Sequence, residues 1–213
     1  MKHIENIERL FSKAFVESPL IETFDGGKIH LSSGKLVACD PLITNDKEPF
    51  STPFPKGDFP VFVHKERDSN CIAYVEILFS SETISHWELA VSDGQNIKDL
   101  ADGEIFGYPV ESGMGCLMDA ETQQSLNDLE QLLFKRKGAD FMGIYEEFFH
   151  EYFFDENGAI DQFASLNPSD KHQGNIIAFE TGYGEGFYAS YIAFDTQKQP
   201  VKMVSEFIEI QTD

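Results

Sequence analysis

The sequence is short of basic residues, of cysteine and of long apolar runs, and each shortage removes a class of protein. Lysine and arginine total 16 against 37 aspartates and glutamates, for a formal charge of −21. Such a chain repels duplex nucleic acid and anionic lipid at long range. Its one basic cluster, Lys135 to Lys137, is explained by a helix end. No run of roughly 18 apolar residues occurs, so no membrane-spanning helix is expected. Acidic residues interrupt "MKHIENIERLFSKAFVESP" too early for a signal peptide. Cys39, Cys71 and Cys116 are far apart, odd in number and without a Cys-x-x-Cys pair. That pattern fits a reduced cytoplasmic protein, not a disulfide scaffold or a zinc knuckle. Gly-x-x-x-x-Gly-Lys-Ser/Thr, Gly-x-Ser-x-Gly and His-Glu-x-x-His are also missing. No cofactor is expected.

What is present is enough for a core. Hydrophobic residues make up 41% of the 213, with 20 phenylalanines, which argues against disorder and for a single domain over residues 1–213. Ile4, Ile7, Leu10, Phe11, Ala14 and Phe15 recur at helical spacing and predict an N-terminal helix ending near Ser18-Pro19. "KIHLSSG" and "KLVACDP" read as strands around a Ser-Gly turn, followed by a proline-rich loop. "FPVFVHKE", "CIAYVEILFS" and "ISHWELAV" are further strands. Leu126, Leu129, Leu132 and Leu133 define a helix from about Glu121 to Lys137, closed by cations and Gly138. A second helix is expected from about Ala139 to Phe154, with Phe141, Ile144, Tyr145, Phe148, Tyr152 and Phe153 on its apolar face. Together these form a helical insertion over about 120–156, before a flexible polar loop over about 157–173. "NIIAFETG", "GFYASYIAFD" and "VKMVSEFIEIQ" close the chain as strands, the last two joined by a "TQKQP" hairpin loop. The expected class is α+β, a largely antiparallel β-sheet core with an N-terminal helix and a two-helix insertion.

Chemistry has few places to reside. In "VESGMGCLMDAET", Gly113 and Gly115 precede Cys116 and Asp119. Asp119 fits an N-cap, and Cys116 fits either a small buried hydrophobe or a thiolate favoured by a helix N-terminus. In "ETGYGEGFYASY", Gly182, Gly184 and Gly186 alternate, and Glu180 and Glu185 would repel a phosphate. The plain reading is a sharp hairpin or bulge; if both Gly-rich turns converge at one end of the sheet, they form a cleft with Glu185 beside it. "HWELA" puts His86 and Glu88 on one strand face and Trp87 on the other. The catalytic candidates are Asp40, Glu88, Cys116, Asp119 and Glu185, and the metal candidates are Glu88 and Asp119.

"LVACDPL", "PFPKGDFPV", "HWELAV", "GYPVESGMGCLMD" and "NIIAFETGYGEGFYASYIAFD" occur in that order. As an ordered set they resemble the bacterial family called domain of unknown function 4241, over roughly Leu36 to Phe207. The resemblance marks Asp40, Pro41, Gly57, Pro60, Trp87, Glu88, Gly107, Gly113, Gly115, Cys116, Asp119, Gly182, Gly184, Glu185, Gly186 and Tyr188 as family-typical. Gly184-Glu185-Gly186 stands where the family usually has glycine-aspartate-glycine, and Leu117 where it often has phenylalanine. The resemblance implies no activity.

Three readings remain. The first is an acidic, immunity-type protein that binds a basic protein, with Glu146, Glu147 and Glu151 contributing a negative stripe. The second is a small hydrolase with a carboxylate and cysteine cleft, metal-dependent or not. The third is a structural protein without catalytic activity.

Overall fold

The computed structural model describes residues 2–13 and 15–211. Helix α1 (Lys2–Phe11) is followed by strands β1 (Ile21–Leu31), β2 (Leu36–Cys39), β3 (Gly57–Glu66), β4 (Ile72–Leu78), β5 (His86–Leu89), β6 (Tyr108–Val110) and β7 (Met114–Asp119). Helix α2 (Ala120–Lys137) comes next, and a π-helical turn (Tyr145–Phe149) runs into the short α3 (His150–Phe153). The remaining strands are β8 (Phe154–Asp155), β9 (Gly158–Ala159), β10 (Phe163–Leu166), β11 (Ile176–Glu180), β12 (Gly186–Phe194) and β13 (Pro200–Glu206). All strand pairings among the described residues are antiparallel. The fold is thus α+β with a mostly antiparallel core, an N-terminal helix and a helical insertion.

The strands form two principal sheets. The larger runs β1-β3-β4-β13-β12-β5, with β6 pairing β12; the smaller runs β10-β11-β7-β2. Side-chain alternation explains their stacking. Leu117 of β7 and Ile177 and Phe179 of β11 meet Val61, Val75, Ile192 and Met203 of the large sheet in one buried cluster. The alternate residues Cys116, Met118 and Ala178 face away, against Leu126, Phe149 and Phe153 of the helical insertion. On the far side of the large sheet, Ile7, Leu10 and Phe11 of α1 cover Tyr74, Trp87 and Tyr191. The layers run helix, sheet, sheet, helix.

Several local expectations hold. α2 begins and ends where its cap and stop signals lie, with Gly138 at φ 55° after Lys137. The β3–β4 and β12–β13 hairpins form as read. Others need correcting. α1 stops at Phe11, and Phe15 is exposed; Ala14 lies outside the described residues. β1 and β2 flank the Ser-Gly turn but belong to different sheets, so this turn is a corner. The expected second helix is cut short: Gly138–Asp140 is a 3₁₀ turn, and Gly143 has φ 103°, a left-handed conformation that breaks a helix. The polar segment 157–173 carries β9 and β10, and β10 pairs with β11 at the edge of the small sheet.

Candidate functional site

The five catalytic candidates do not converge. Glu88 is exposed on β5, an edge strand of the large sheet, 3.2 Å from His86 Nε2. Trp87 is buried on the opposite face, as the alternation requires. Cys116 and Asp119 lie on β7 in the small sheet, and Asp40 follows β2. Glu185 is exposed just before β12.

Three of the five are committed to the fold. Asp119 is fully buried and accepts hydrogen bonds from the backbone N–H groups of Ser33 (3.0 Å), Gly34 (3.1 Å) and Glu121 (3.0 Å), and from the Ser33 hydroxyl (2.8 Å). It caps α2 and ties the Ser-Gly corner to it. Asp40 is equally buried, and its carboxylate takes the N–H groups of Leu42 (2.9 Å), Glu111 (3.0 Å) and Ser112 (2.8 Å). It therefore fixes the approach to Gly113. Cys116 Sγ lies 3.7 Å from Cys39 Sγ and 3.3 Å from the Cys39 carbonyl oxygen, without solvent access. Burial, then the neighbouring Cys39, pushes the Cys116 thiol well above its ordinary pKa. A thiolate nucleophile is disfavoured there. No group of three or more metal-ligating side chains occurs among the described residues, and Glu88 and Asp119 sit on separate sheets.

The two Gly-rich turns do meet. The Thr181 N–H donates to the Gly113 carbonyl at 2.9 Å. The Thr181 hydroxyl lies 3.0 Å from that carbonyl and 2.8 Å from the Gly184 carbonyl, which also accepts from the Tyr188 hydroxyl at 2.6 Å. Gly182 and Gly184 have φ of 44° and 109°. The second turn is no hairpin, because it carries the chain from β11 in the small sheet to β12 in the large one.

Between these turns and the helical insertion lies a cleft of about 650 Å³. Leu42, Met114, Tyr145, Phe153 and Phe154 supply its apolar walls, and Tyr183 stands exposed at one side. Glu180, the last residue of β11, is the one carboxylate lining it; no lysine, arginine or histidine does so. Burial, then the charges of Glu146 and Glu180, raises the pKa of the Tyr145 phenol, so both carboxylates lie within electrostatic reach of that ring. On the other side the Tyr183 hydroxyl donates to Glu66 at 3.1 Å, which raises its pKa as well. The cleft is aromatic in its walls and acidic at its margins. Half-exposed Cys71 also lines it.

Of the expected acidic stripe, Glu146 and Glu151 are exposed, whereas Glu147 is half-buried and ion-paired with Lys137. Sequence reasoning missed Glu180, Tyr145, Tyr183 and Cys71 as neighbours of one cleft. The available signal was Glu180 itself, a lone acid ending the apolar strand "IIAFE" at the glycines.

The family described as protein of unknown function (DUF4241) matches residues 29–205. The chain belongs to this family. No curated protein and no solved structure matches it. The DUF4241 match takes in Asp40, both Gly-rich turns, the helical insertion and Glu180; it leaves out α1.

Within the DUF4241 region a second charged group is wholly enclosed. His64 Nε2 lies 3.0 Å from Glu76 Oε2, and Lys202 Nζ lies 2.5 Å from Glu76 Oε1. The Thr23 hydroxyl meets His64 Nδ1 at 2.9 Å, and Lys202 also donates to the Lys13 carbonyl at 3.2 Å. Burial alone would raise the Glu76 pKa, but the His64 hydrogen bond and the Lys202 charge outweigh it and hold the carboxyl low. This group pins β3, β4 and β13 beneath α1. No helix among the described residues is long and apolar enough to cross a membrane.

Proposed function

We propose that this chain is a binding protein of the immunity type, acting in the cytoplasm, whose partner is a basic protein. One observation carries the reading: an aromatic-walled cleft is lined by the carboxylate of Glu180 and by no lysine, arginine or histidine. A surface of that kind attracts a cationic partner from a distance and offers it apolar contact on arrival. The overall charge of −21 acts in the same direction. Three free thiols suit a reducing compartment. The hydrolase alternative draws no support from Asp40, Asp119 or Cys116, whose polar atoms are engaged within the fold.

The reading is tested by affinity capture on the immobilised protein from native cell extract, at low and at high salt. The expected result is a basic protein retained at low salt, rebinding in purified form with an association rate that falls as salt rises. Retention of no basic protein, or of one indifferent to salt, contradicts it.

A further inference from the structure

We infer that the cleft between the two Gly-rich turns receives an arginine side chain of the basic partner, its guanidinium paired with Glu180. The inference rests on the binding reading above and names what the cleft recognises.

The first support is the state of Glu180. Its backbone N–H is used, donating to the Gln162 carbonyl at 2.8 Å, but its carboxylate has no hydrogen-bond or ion-pair partner among the described residues. It lies at the end of a strand whose other four residues are fully buried, so its backbone is held in place and the residue is only partly exposed. An unpartnered, partly exposed carboxylate beside apolar walls gains from a cation brought to it.

The second support is the shape of the cation that fits. Tyr145, Phe153 and Phe154 line the cleft, and Tyr183 stands 72% exposed at its side. Aromatic faces favour a planar, weakly hydrated guanidinium over a compact ammonium, and the fork of N–H donors pairs with a carboxylate through two bonds. The long arginine stem matches the apolar Leu42 and Met114 that line the cleft.

The third support is the competition for backbone groups. The Gly113 and Gly184 carbonyls, which would otherwise hold a donor from a small polar ligand, are already taken by Thr181 and Tyr188. The open recognition group is the carboxylate. Glu66, which accepts from the Tyr183 hydroxyl, and exposed Glu146, next in the chain to Tyr145, extend negative charge beyond the size of one cation, which suits an arginine presented on a larger basic surface.

The experiment follows the amide resonances of Gly113, Gly182, Tyr183 and Gly184 in ¹⁵N-labelled protein during titration with acetyl-Ala-Arg-Ala-amide. Parallel titrations use the lysine and citrulline peptides and agmatine. Saturable shifts with the arginine peptide are expected, with weaker binding of the lysine peptide and of agmatine, and none of the citrulline peptide. Glu180→Gln should weaken the arginine peptide about tenfold with the spectrum otherwise preserved; Tyr183→Ala, at an exposed position, is a second variant and should weaken it several-fold. The arginine peptide should also slow alkylation of Cys71 by iodoacetamide. Absence of saturable shifts, equal binding of citrulline or lysine, or indifference to Glu180→Gln overturns the inference. Agmatine binding as tightly as the peptide overturns the protein source. If the peptide fails while a captured basic protein still depends on Glu146 and Glu151, this inference falls and the binding reading stands. If the peptide binds and no basic protein is captured, the cleft recognises a guanidinium, but the protein source falls together with the binding reading.

Discussion

Thr181 addresses the Gly113 carbonyl twice, with its backbone N–H at 2.9 Å and its hydroxyl at 3.0 Å. That residue joins the two Gly-rich turns and so shapes one side of the cleft. Thr181→Val keeps the volume and the N–H bond but removes the hydroxyl, which also lies 2.8 Å from the Gly184 carbonyl. Each carbonyl keeps another donor, the Thr181 N–H for Gly113 and the Tyr188 hydroxyl for Gly184, so the expected loss is that of one part-buried hydrogen bond, about 1 kcal/mol in urea unfolding. An unchanged midpoint would mean the hydroxyl does not hold the turns.

Thiol accessibility separates a structural Cys116 from a reactive one. Cys39 and Cys116 are buried at directly paired positions of β2 and β7, whereas Cys71 is half-exposed. Iodoacetamide should modify Cys71 alone in the folded protein, and all three cysteines in denaturant, as read by intact mass and peptide mapping. Rapid modification of Cys116 in the native state would restore the nucleophile reading.

Glu206 predicts a pH dependence of stability. Burial, then the charge of Glu209, raises its pKa from 4.5 to about 7. A carboxyl with a raised folded pKa binds its proton more tightly in the native state. Its contribution is full below pH 4.5 and is lost as pH rises to about 7. The loss is of the order of 3 kcal/mol. Glu206→Gln should flatten this fall when thermal midpoints are compared from pH 5 to pH 8. The Glu76 carboxyl, held low, acts oppositely, its contribution being lost only below the ordinary glutamate range. A wild-type midpoint that rises from pH 5 to pH 7 with Glu206→Gln making no difference would contradict the assignment.

The aromatic stripe of the insertion tests a register. Phe149 is fully buried among Cys116, Met118 and Phe153, and Phe148 only partly so. Phe149→Ala should cost about 3–5 kcal/mol, and Phe148→Ala clearly less. Equal losses in denaturant unfolding would place both rings in the core.

That stripe also shows where sequence reading stops. Helix α2 was legible because its signals are local: Asp119 caps it, and Lys135 to Lys137 and Gly138 end it. The next helix was misjudged because Tyr145–Phe149 winds as a π-turn, which rotates each later side chain relative to a 3.6-residue period. Phe149 then replaces Phe148 on the inner face. The strands themselves were legible from alternation. Their division between two sheets was not, because Asp119 bonds Ser33 and Gly34 across more than 80 positions, and nothing near Ser32 reveals it. Asp40, Cys116 and Asp119 stood out as site candidates by residue type. Their engagement by backbone N–H groups or by a paired thiol depends on register, which the chain alone does not display. The cleft was half legible: both glycine turns were noted, but not the aromatic walls brought to them by the insertion.

A basic partner attracted by Glu180 in the cleft and by the exposed Glu146 and Glu151 of the insertion should be steered by their charge. The most direct measurement is the association rate of the captured partner with wild-type protein and with a Glu146→Gln, Glu151→Gln, Glu180→Gln variant, across a salt series. Removing three unpaired charges should slow association about tenfold at low salt and flatten its salt dependence, while the thermal midpoint changes little. An association rate that ignores both the substitutions and the salt would contradict the account and leave the acidic balance as a matter of solubility.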